Sequence, residues 1–564
     1  MTKNQKIILV GLFILFFILR FPGLSLPYHQ DEAKVVTYSE TVSGAGELFA
    51  HPPLMQIFFV AGSYVFGSDY FRLLPIFFGF LSVLVLYLFI RDRFGYESAV
   101  SVSFVYAICF YNIWGSLQLD VDGSMLPFFF LLSVYAYGKV KSSESRVKTK
   151  WIIFLIVTFL LGWLVKLNFI LAILAICADC ILFNWKNFTV KKATYAVLAG
   201  LGFVALYIAL LYLIQALYPA FRIDAMMNHA NQFKEQGGRN YMQVLVQGVK
   251  AIYYLSPLLL IPLFFVSKDI LKKASVFILY LIFGLAFYFV IFDFSRGALD
   301  KYLMFLTLPL AVVCGLVLDS LLKKFKEDAV LMEKIKPALL WGAGLSFLLV
   351  SLNFLPHLVV PLYPKTLWFS RVLHGDWNIL TPFNGGSGPV GFYVSFLFIA
   401  FSFLISFACV VLGFWKKEKR PLLAVVIVFV GLIYNGVFAS ELLFGSFFGS
   451  SEKVLQDSIS FIKKDDSIKQ VLTFNNTGSF ELLEIGKYSG RIYATPEFAP
   501  GNLEKFASFQ GQYLIVEIPK LYGVYRDFFD GCKVLFETNS GEIRGWVYNC
   551  PDSAKRVKKL QAKS

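Results

Sequence analysis

Charge is scarce in this sequence: Asp, Glu, Lys and Arg make up 16% of its 564 residues, against 57% hydrophobic and 18% aromatic residues. Soluble domains carry about 25% charged residues, so a soluble enzyme or a nucleic-acid-binding module is excluded as a description of the chain. Histidine occurs only five times, and the seven cysteines supply one close pair, Cys177 and Cys180 in "CADC". A single pair inside an apolar run lacks the other half of a zinc set and reads as two small packed residues. No internal repeat is visible, which weighs against repeat-built transporter folds. The first apolar run, "KIILVGLFILFFILRFPGL", has no small-residue cleavage site, so it reads as a retained anchor rather than a removed signal peptide.

Long apolar runs, by contrast, recur from residue 6 to residue 441. Each is long enough, at about 1.5 Å per residue, to cross most or all of a roughly 30 Å hydrocarbon layer as a helix. The net charge of +15 sits largely in short basic stretches: "RDRFG" at 91, "KVKSSESRVKTK" at 139, "NWKNFTVKK" at 184, "SKDILKK" at 267, "LLKKFKEDAVLMEKIK" at 321 and "WKKEKR" at 415. Placing these inside by the positive-inside rule predicts an all-α polytopic membrane protein. It has about thirteen spans, near 6–22, 71–90, 98–116, 124–140, 151–166, 168–184, 193–215, 250–267, 274–292, 301–320, 337–355, 390–414 and 421–441. The piece at 52–67, "PPLMQIFFVAGSYVFG", is read as an interfacial or re-entrant helix, because counting it would put the basic loops outside.

With the N-terminus cytoplasmic, loops 23–70, 117–123, 216–249, 293–300 and 356–389 face outward. From about residue 446 the composition turns soluble, with strand-like runs "QVLTFN", "YLIVEI", "KVLFET" and "GWVYN" separated by turn residues. The expected organisation is a membrane domain over 1–445, a small α/β or α+β extracytoplasmic domain over 446–552, and a basic, disordered tail over 553–564 that can lie against anionic lipid.

Four outward features could carry chemistry. Asp31 and Glu32, in "LSLPYHQDEAKVV", would point to opposite sides of an extended segment, so one of them can enter a cavity; taken alone, the pair reads more readily as part of a solvated acidic loop. In "AHPPL" the two prolines fix the backbone and exclude a helix start before Pro53, leaving His51 at the loop-to-interface junction, where a rigid turn with an incidental histidine is the plain alternative. "LQLDVDG" puts Asp120 and Asp122 at a membrane rim, where carboxylates need solvent or a partner, and Asp122 could also cap the next helix. A scattered set, Lys166, Arg222, His229, Arg239, Arg296, Lys301, Arg371 and His374, could together bind an anion such as a lipid phosphate, although each alone reads as a solvated residue. Asp179, near the cytoplasmic half of a span, is read as snorkelling.

In "KVLFETNSGEIRGWVYN" two strand-like runs flank a turn, and pairing them about Gly541 sets Cys532 opposite Cys550, each nine residues away. Opposite Cα atoms about 4.5 Å apart can be bridged, so a structural disulfide is expected, with two buried free thiols as the alternative.

"YHQDEA", "HPPL", "FRLLPIFFG", "DVDGSMLPFF" and "LDKYLMFLTLPLA" follow one another in an order that resembles the C-type (GT-C) polyprenyl-phosphate-sugar-dependent glycosyltransferases, the group holding protein O-mannosyltransferases and the lipid A aminoarabinose transferase. The likeness is best over 10–320 and persists in overall plan to about 550. It implies juxtamembrane helices in the first outer loop and transfer of a sugar from a polyprenyl-phosphate donor to a lipid, glycan or protein hydroxyl. Asp31 matches the family's catalytic acid, with Glu32 beside it; Asp122, with Asp120 as near neighbour, matches its second acidic motif. His51, Arg296, Lys301 and Tyr302 match or neighbour donor-phosphate contacts, and His51 with His229 could hold a divalent metal, with no other cofactor implied. His51 departs from the Lys of the aminoarabinose enzymes, which leaves sugar and acceptor open. A transporter or flippase of a lipid-linked sugar is the rival class; it would place ionisable residues mid-span, whereas these lie at outer ends.

Overall fold

The computed structural model describes residues 2–28, 31–39, 51–184, 189–232, 241–292, 300–327, 329–355, 380–383, 391–474, 477–492, 500–517 and 523–562. The chain forms two compact units, one built from Met1–Arg20, Val35–Lys336 and Val410–Ala424, the other from Phe21–Lys34, Pro337–Cys409 and Val425–Ser564.

Helices dominate the first unit. Among the described residues of the whole chain, eight helices are long and apolar enough to cross a membrane, or nine if one bent pair counts as a span. The expected thirteen are therefore not reached by that measure. The shortfall has identifiable causes. The expected span 98–116 is broken at Cys109, whose ψ of 124° leaves the helical region between helices Tyr96–Ile108 and Phe110–Gly115. The expected span 250–267 bends by 96° between Gly248–Leu255 and Pro257–Phe265, at Ser256 with φ of 76°. Apolar helices Leu167–Leu182 and Ser275–Ile291 are shorter than a full span.

Breaks of this kind free carbonyls that need donors where water is excluded. Asn112 Nδ2 donates to Tyr106 O at 2.8 Å and Arg20 Nη2 to Ala107 O at 3.1 Å. At the second break, the Cys109 and Cys314 thiols point to Leu255 O and Leu258 O at 3.5 and 3.4 Å. These two cysteines are thus weak donors to broken helices as well as apolar filling. Helix Pro53–Phe66 begins at the second proline, as the missing N–H of Pro requires.

Asp179 does not snorkel. It is 1% exposed and accepts hydrogen bonds from Tyr137 OH and Lys141 Nζ, each at 2.7 Å, and from Ser275 Oγ. Burial of a charge demands such partners.

In the second unit, Leu380–Phe383 (β1) and Phe392–Ser395 (β2) pair antiparallel, and helix Phe396–Trp415 follows. The expected span from 390 therefore starts later, after a strand. Five further strands, Val471–Phe474 (β3), Tyr488–Ile492 (β4), Gln512–Glu517 (β5), Lys533–Ser540 (β6) and Ile543–Asn549 (β7), form a mixed sheet in the order β4-β3-β5-β7-β6. Strand β4, "YSGRI", has little apolar alternation, so no periodicity marks it as a strand. Helix Ser451–Lys464 turns Val454, Leu455, Ser458 and Ile462 inward, and Val454, Leu455 and Ile462 pack with β3 and β7 residues Val471, Ile543 and Val547.

The basic tail is not disordered: Ser553–Gln561 is a helix whose Val557 and Leu560 are buried beside Phe528 and Phe529. The apolar pair three residues apart on one face drives it. Cys532 and Cys550 are joined in a disulfide with Cα atoms 4.8 Å apart. The turn between β6 and β7 consists of Gly541, at φ of 58°, and Glu542, and pairs Ser540 with Ile543. Continued unchanged, that register would set Cys532 against Pro551. An irregularity between Val534 and Phe536 shifts it by one residue, so that Lys533 faces Asn549 and the cysteines come next.

Candidate active site

The acidic loop 117–123 of the first unit lies between helices Phe110–Gly115 and Met125–Ser142 and is held from several sides. Gly115 and Gly123 meet backbone to backbone: a Cβ on Gly123 would fall 2.4 Å from both Cα and O of Gly115. Arg72, fully buried, donates to Leu117 O at 2.5 Å. Arg20, also fully buried, donates from Nε to Ser116 Oγ at 2.6 Å and from Nη1 to Phe16 O at 3.1 Å. Neither arginine was singled out from the sequence. Arg20 had a usable signal, since an ionisable residue inside an apolar run is by default a functional one.

So held, the loop presents two carboxylates to two ammonium groups. Asp120 Oδ2 pairs with Lys301 Nζ at 2.5 Å, and Asp122 Oδ2 pairs with Lys166 Nζ. All four side chains are 15% exposed or less. Both lysines flank the ring of Tyr302, with Nζ 5.0 Å (Lys166) and 5.4 Å (Lys301) from its centroid, within cation–π range. Lys166 sits where helix Ser145–Val165 ends, its backbone extended, which turns its side chain out of the helix path. The cap position of helix Met125–Ser142 is Ser124, with no side-chain cap bond, so Asp122 is an ion-pair partner and not the helix cap.

The two carboxylates titrate in opposite directions. Burial pushes Asp120 up, but the Lys301 and Lys166 charges and the Lys301 hydrogen bond outweigh it and hold the group below the ordinary carboxylate range. For Asp122 burial prevails, aided by the Asp120 charge, and its proton affinity is raised. Asp120 is the permanent anion of the cluster.

His51 and His229 meet edge to face with ring centroids 4.9 Å apart, and Gln56 Nε2 donates to His51 O at 3.3 Å. Burial, then the charges of Lys166, His229 and Lys301, lower the His51 pKa to about 3, so its ring is neutral at physiological pH. A neutral imidazole is a metal ligand, yet a His51 ring under the influence of two ammonium groups is a poor fit for a dication. Among the described residues no three His, Cys, Asp or Glu side chains gather as a metal set.

Asp31 and Glu32 belong to the second unit. They open a helix, Asp31–Ser39, instead of lying in an extended segment. Two carboxylates in a first turn suit the positive helix end. Successive residues turn by about 100° on a helix, and the side Glu32 takes is the interior, fully buried, while the Asp31 side chain is 56% exposed and pairs with Lys34 Nζ at 3.2 Å. This segment is fastened within its unit: Tyr28 meets Phe480 edge-on at 5.2 Å, Ser25 donates to Glu452, and the charge of Asp31 reaches Arg491 on β4.

Of the scattered cations, Lys166, Lys301 and His229 join the cluster, whereas Arg222 pairs with Asp224 at 2.6 Å in the open, 68% exposed. Arg239, Arg296, Arg371 and His374 lie outside the described residues.

Residues 50–218 match the family described as dolichyl-phosphate-mannose-protein mannosyltransferase, a stretch that includes His51, Asp120, Asp122 and Lys166. The fold is that of ArnT from Cupriavidus metallidurans. The apo crystal structure matches at 12% identity and a TM-score of 0.51, over 98% of both chains. The structure bound to undecaprenyl phosphate matches at 13% and 0.54, over 97% of this chain and 98% of that one. No curated protein sequence matches the chain. The resemblance seen in the short motifs is thus supported over the whole length of the fold. The family match over residues 50–218 and the shared fold both point toward the C-type glycosyltransferases, and the long apolar helices toward a multi-pass membrane protein.

Proposed function

We propose that the chain transfers a sugar from a polyprenyl-phosphate donor to an acceptor hydroxyl at the outer face of the membrane, with inversion at the anomeric carbon. The observation that carries this reading is the buried pair of ammonium groups, Lys301 and Lys166, each aimed by one carboxylate in a chain of this fold. An ammonium has three N–H donors. One is committed to Asp120 or Asp122, and the fixed positive charge is placed to meet the oxygens of a phosphate leaving group.

In this reading Asp31 takes the proton from the acceptor hydroxyl, whose oxygen attacks the anomeric carbon. The bond from that carbon to the phosphate oxygen breaks, and its electron pair leaves with the polyprenyl phosphate. Its half-exposed carboxylate suits a base that must meet an incoming acceptor; buried Glu32 is suited to holding the helix. His51, neutral, serves by hydrogen bonding and adds no positive charge, and Tyr302 orders the two lysines. No step is routed through a metal. The basic loops face the cytoplasm, with the N-terminus, and the five-stranded domain lies outside.

The test uses the purified full chain in lipid vesicles with a radiolabelled polyprenyl-phosphate sugar and an extract of acceptors. Asp31→Asn is expected to lose turnover by about 10² to 10⁴ while still retaining labelled donor on filters. Near-normal turnover would reject the base assignment. Passage of the intact labelled lipid across the vesicle wall with no glycosylated product would mark a flippase instead.

A further inference from the structure

We propose that a second cavity of the first unit, formed by the ends of helices Leu73–Phe94 and Met125–Ser142 together with segment 269–277, binds the phosphate headgroup of an anionic lipid. The cavity is open and holds about 520 Å³, inside the range of small-ligand sites, about 300 to 1,000 Å³. It is lined by none of the residues of the Asp120–Asp122 cluster.

Its charge is unbalanced. Arg93, Lys139, Lys141, Lys272 and Lys273 line it, against the carboxylates of Asp92, Asp179 and Asp269, which leaves two positive charges in excess. Each of these carboxylates is moreover already paired. Asp179 is held by Tyr137, Lys141 and Ser275, Asp92 by Lys139 at 2.7 Å and Arg91 at 3.0 Å, and Asp269 by Lys273 at 2.7 Å. Arg93 pairs with no carboxylate among the described residues; its guanidinium lies 5.5 Å from the Phe89 ring centroid. A ligand that neutralises an excess of two charges and matches a planar guanidinium fork is a phosphate monoester.

The rest of the wall distinguishes a lipid from free phosphate. Phe89, Phe94, Val276 and Phe277 line the same cavity, and the volume exceeds what a bare phosphate fills. Apolar wall beside a cationic floor suits a headgroup whose glycerol and first methylenes remain attached. Basic residues clustered between membrane helices favour anionic headgroups on the same ground.

The test is native mass spectrometry of the full chain in detergent, with dioctanoyl phosphatidic acid, dioctanoyl phosphatidylcholine and inorganic phosphate as separate probes. Phosphatidic acid is expected to bind and phosphatidylcholine not to. The exposed double variant Arg93→Gln/Lys272→Gln is expected to weaken phosphatidic acid binding about thirtyfold, a factor of roughly five per cation. Lys191→Gln/Lys192→Gln, on another basic stretch, should leave it unchanged. Equal binding of phosphatidylcholine, or an equal loss in both double variants, would overturn the site. Inorganic phosphate binding as tightly as phosphatidic acid would overturn the lipid assignment.

Discussion

Replacing Gly123 by alanine tests whether the acidic loop is positioned by backbone contact. The added Cβ would fall 2.4 Å from Gly115 Cα and 2.4 Å from Gly115 O, about 1 Å inside ordinary van der Waals contact. Backbone cannot swing aside as a flexible side chain does, so loop 117–123 or helix Phe110–Gly115 must shift by about that distance. Overpacking of this kind costs about 1 to 3 kcal/mol. Asp122 is the next residue, and a shift of 1 Å separates its carboxylate from Lys166; displacement of that size at a reacting centre can cost about 10²-fold in rate. The expected result is a drop of a few degrees in the thermal midpoint in detergent and about a hundredfold loss of sugar transfer. Gly200→Ala and Gly202→Ala, which meet nothing within 4 Å, should leave transfer intact and stabilise their helix by up to about 1 kcal/mol. Unchanged transfer in Gly123→Ala would refute the view that this glycine contact sets the geometry of the acid cluster.

Three further outcomes follow from the same contacts. Lys301→Ala leaves the Asp120 carboxylate buried without its nearest cation and should destabilise by about 3 to 5 kcal/mol; adding Asp120→Asn should recover part of that loss in chemical-denaturation midpoints, and strict additivity would show that the pair is not coupled. The depressed Asp120 pKa means that its contribution is fully present above the ordinary value of 3.8 and is lost only as pH falls below it, through the folded-state value. In an Asp122→Asn background, which removes the neighbouring group whose proton affinity Asp120 raises, the stability change on Asp120→Asn should accordingly stay constant from about pH 8 to about pH 5, and a change that vanished within that window would contradict the assignment. Replacing both Cys532 and Cys550 by serine opens a link spanning 18 residues, a loss of about 3 kcal/mol by loop-closure entropy, read as early melting of the sheet domain in hydrogen exchange.

Hydropathy and composition are local properties, and what depends on them was legible from the amino-acid order. That includes the membrane class, the acidic motif at 117–123, the helix starting at Pro53, strands β3, β5, β6 and β7, and the pairing of Cys532 with Cys550. Where local signals compete, the tertiary structure decided. Asp31 and Glu32 sit in a helix whose buried side takes Glu32, and the tail 553–561 is helical because Val557 and Leu560 find a core. Spans 98–116 and 250–267 can break because Arg20, Asn112 and two thiols are placed to donate to the freed carbonyls. The acid cluster itself joins Asp122 to a lysine 44 residues away and Asp120 to one 181 residues away. No periodicity encodes such a pair. It exists because helix packing brings those ends together, and because burial makes an unpaired charge too costly to leave there.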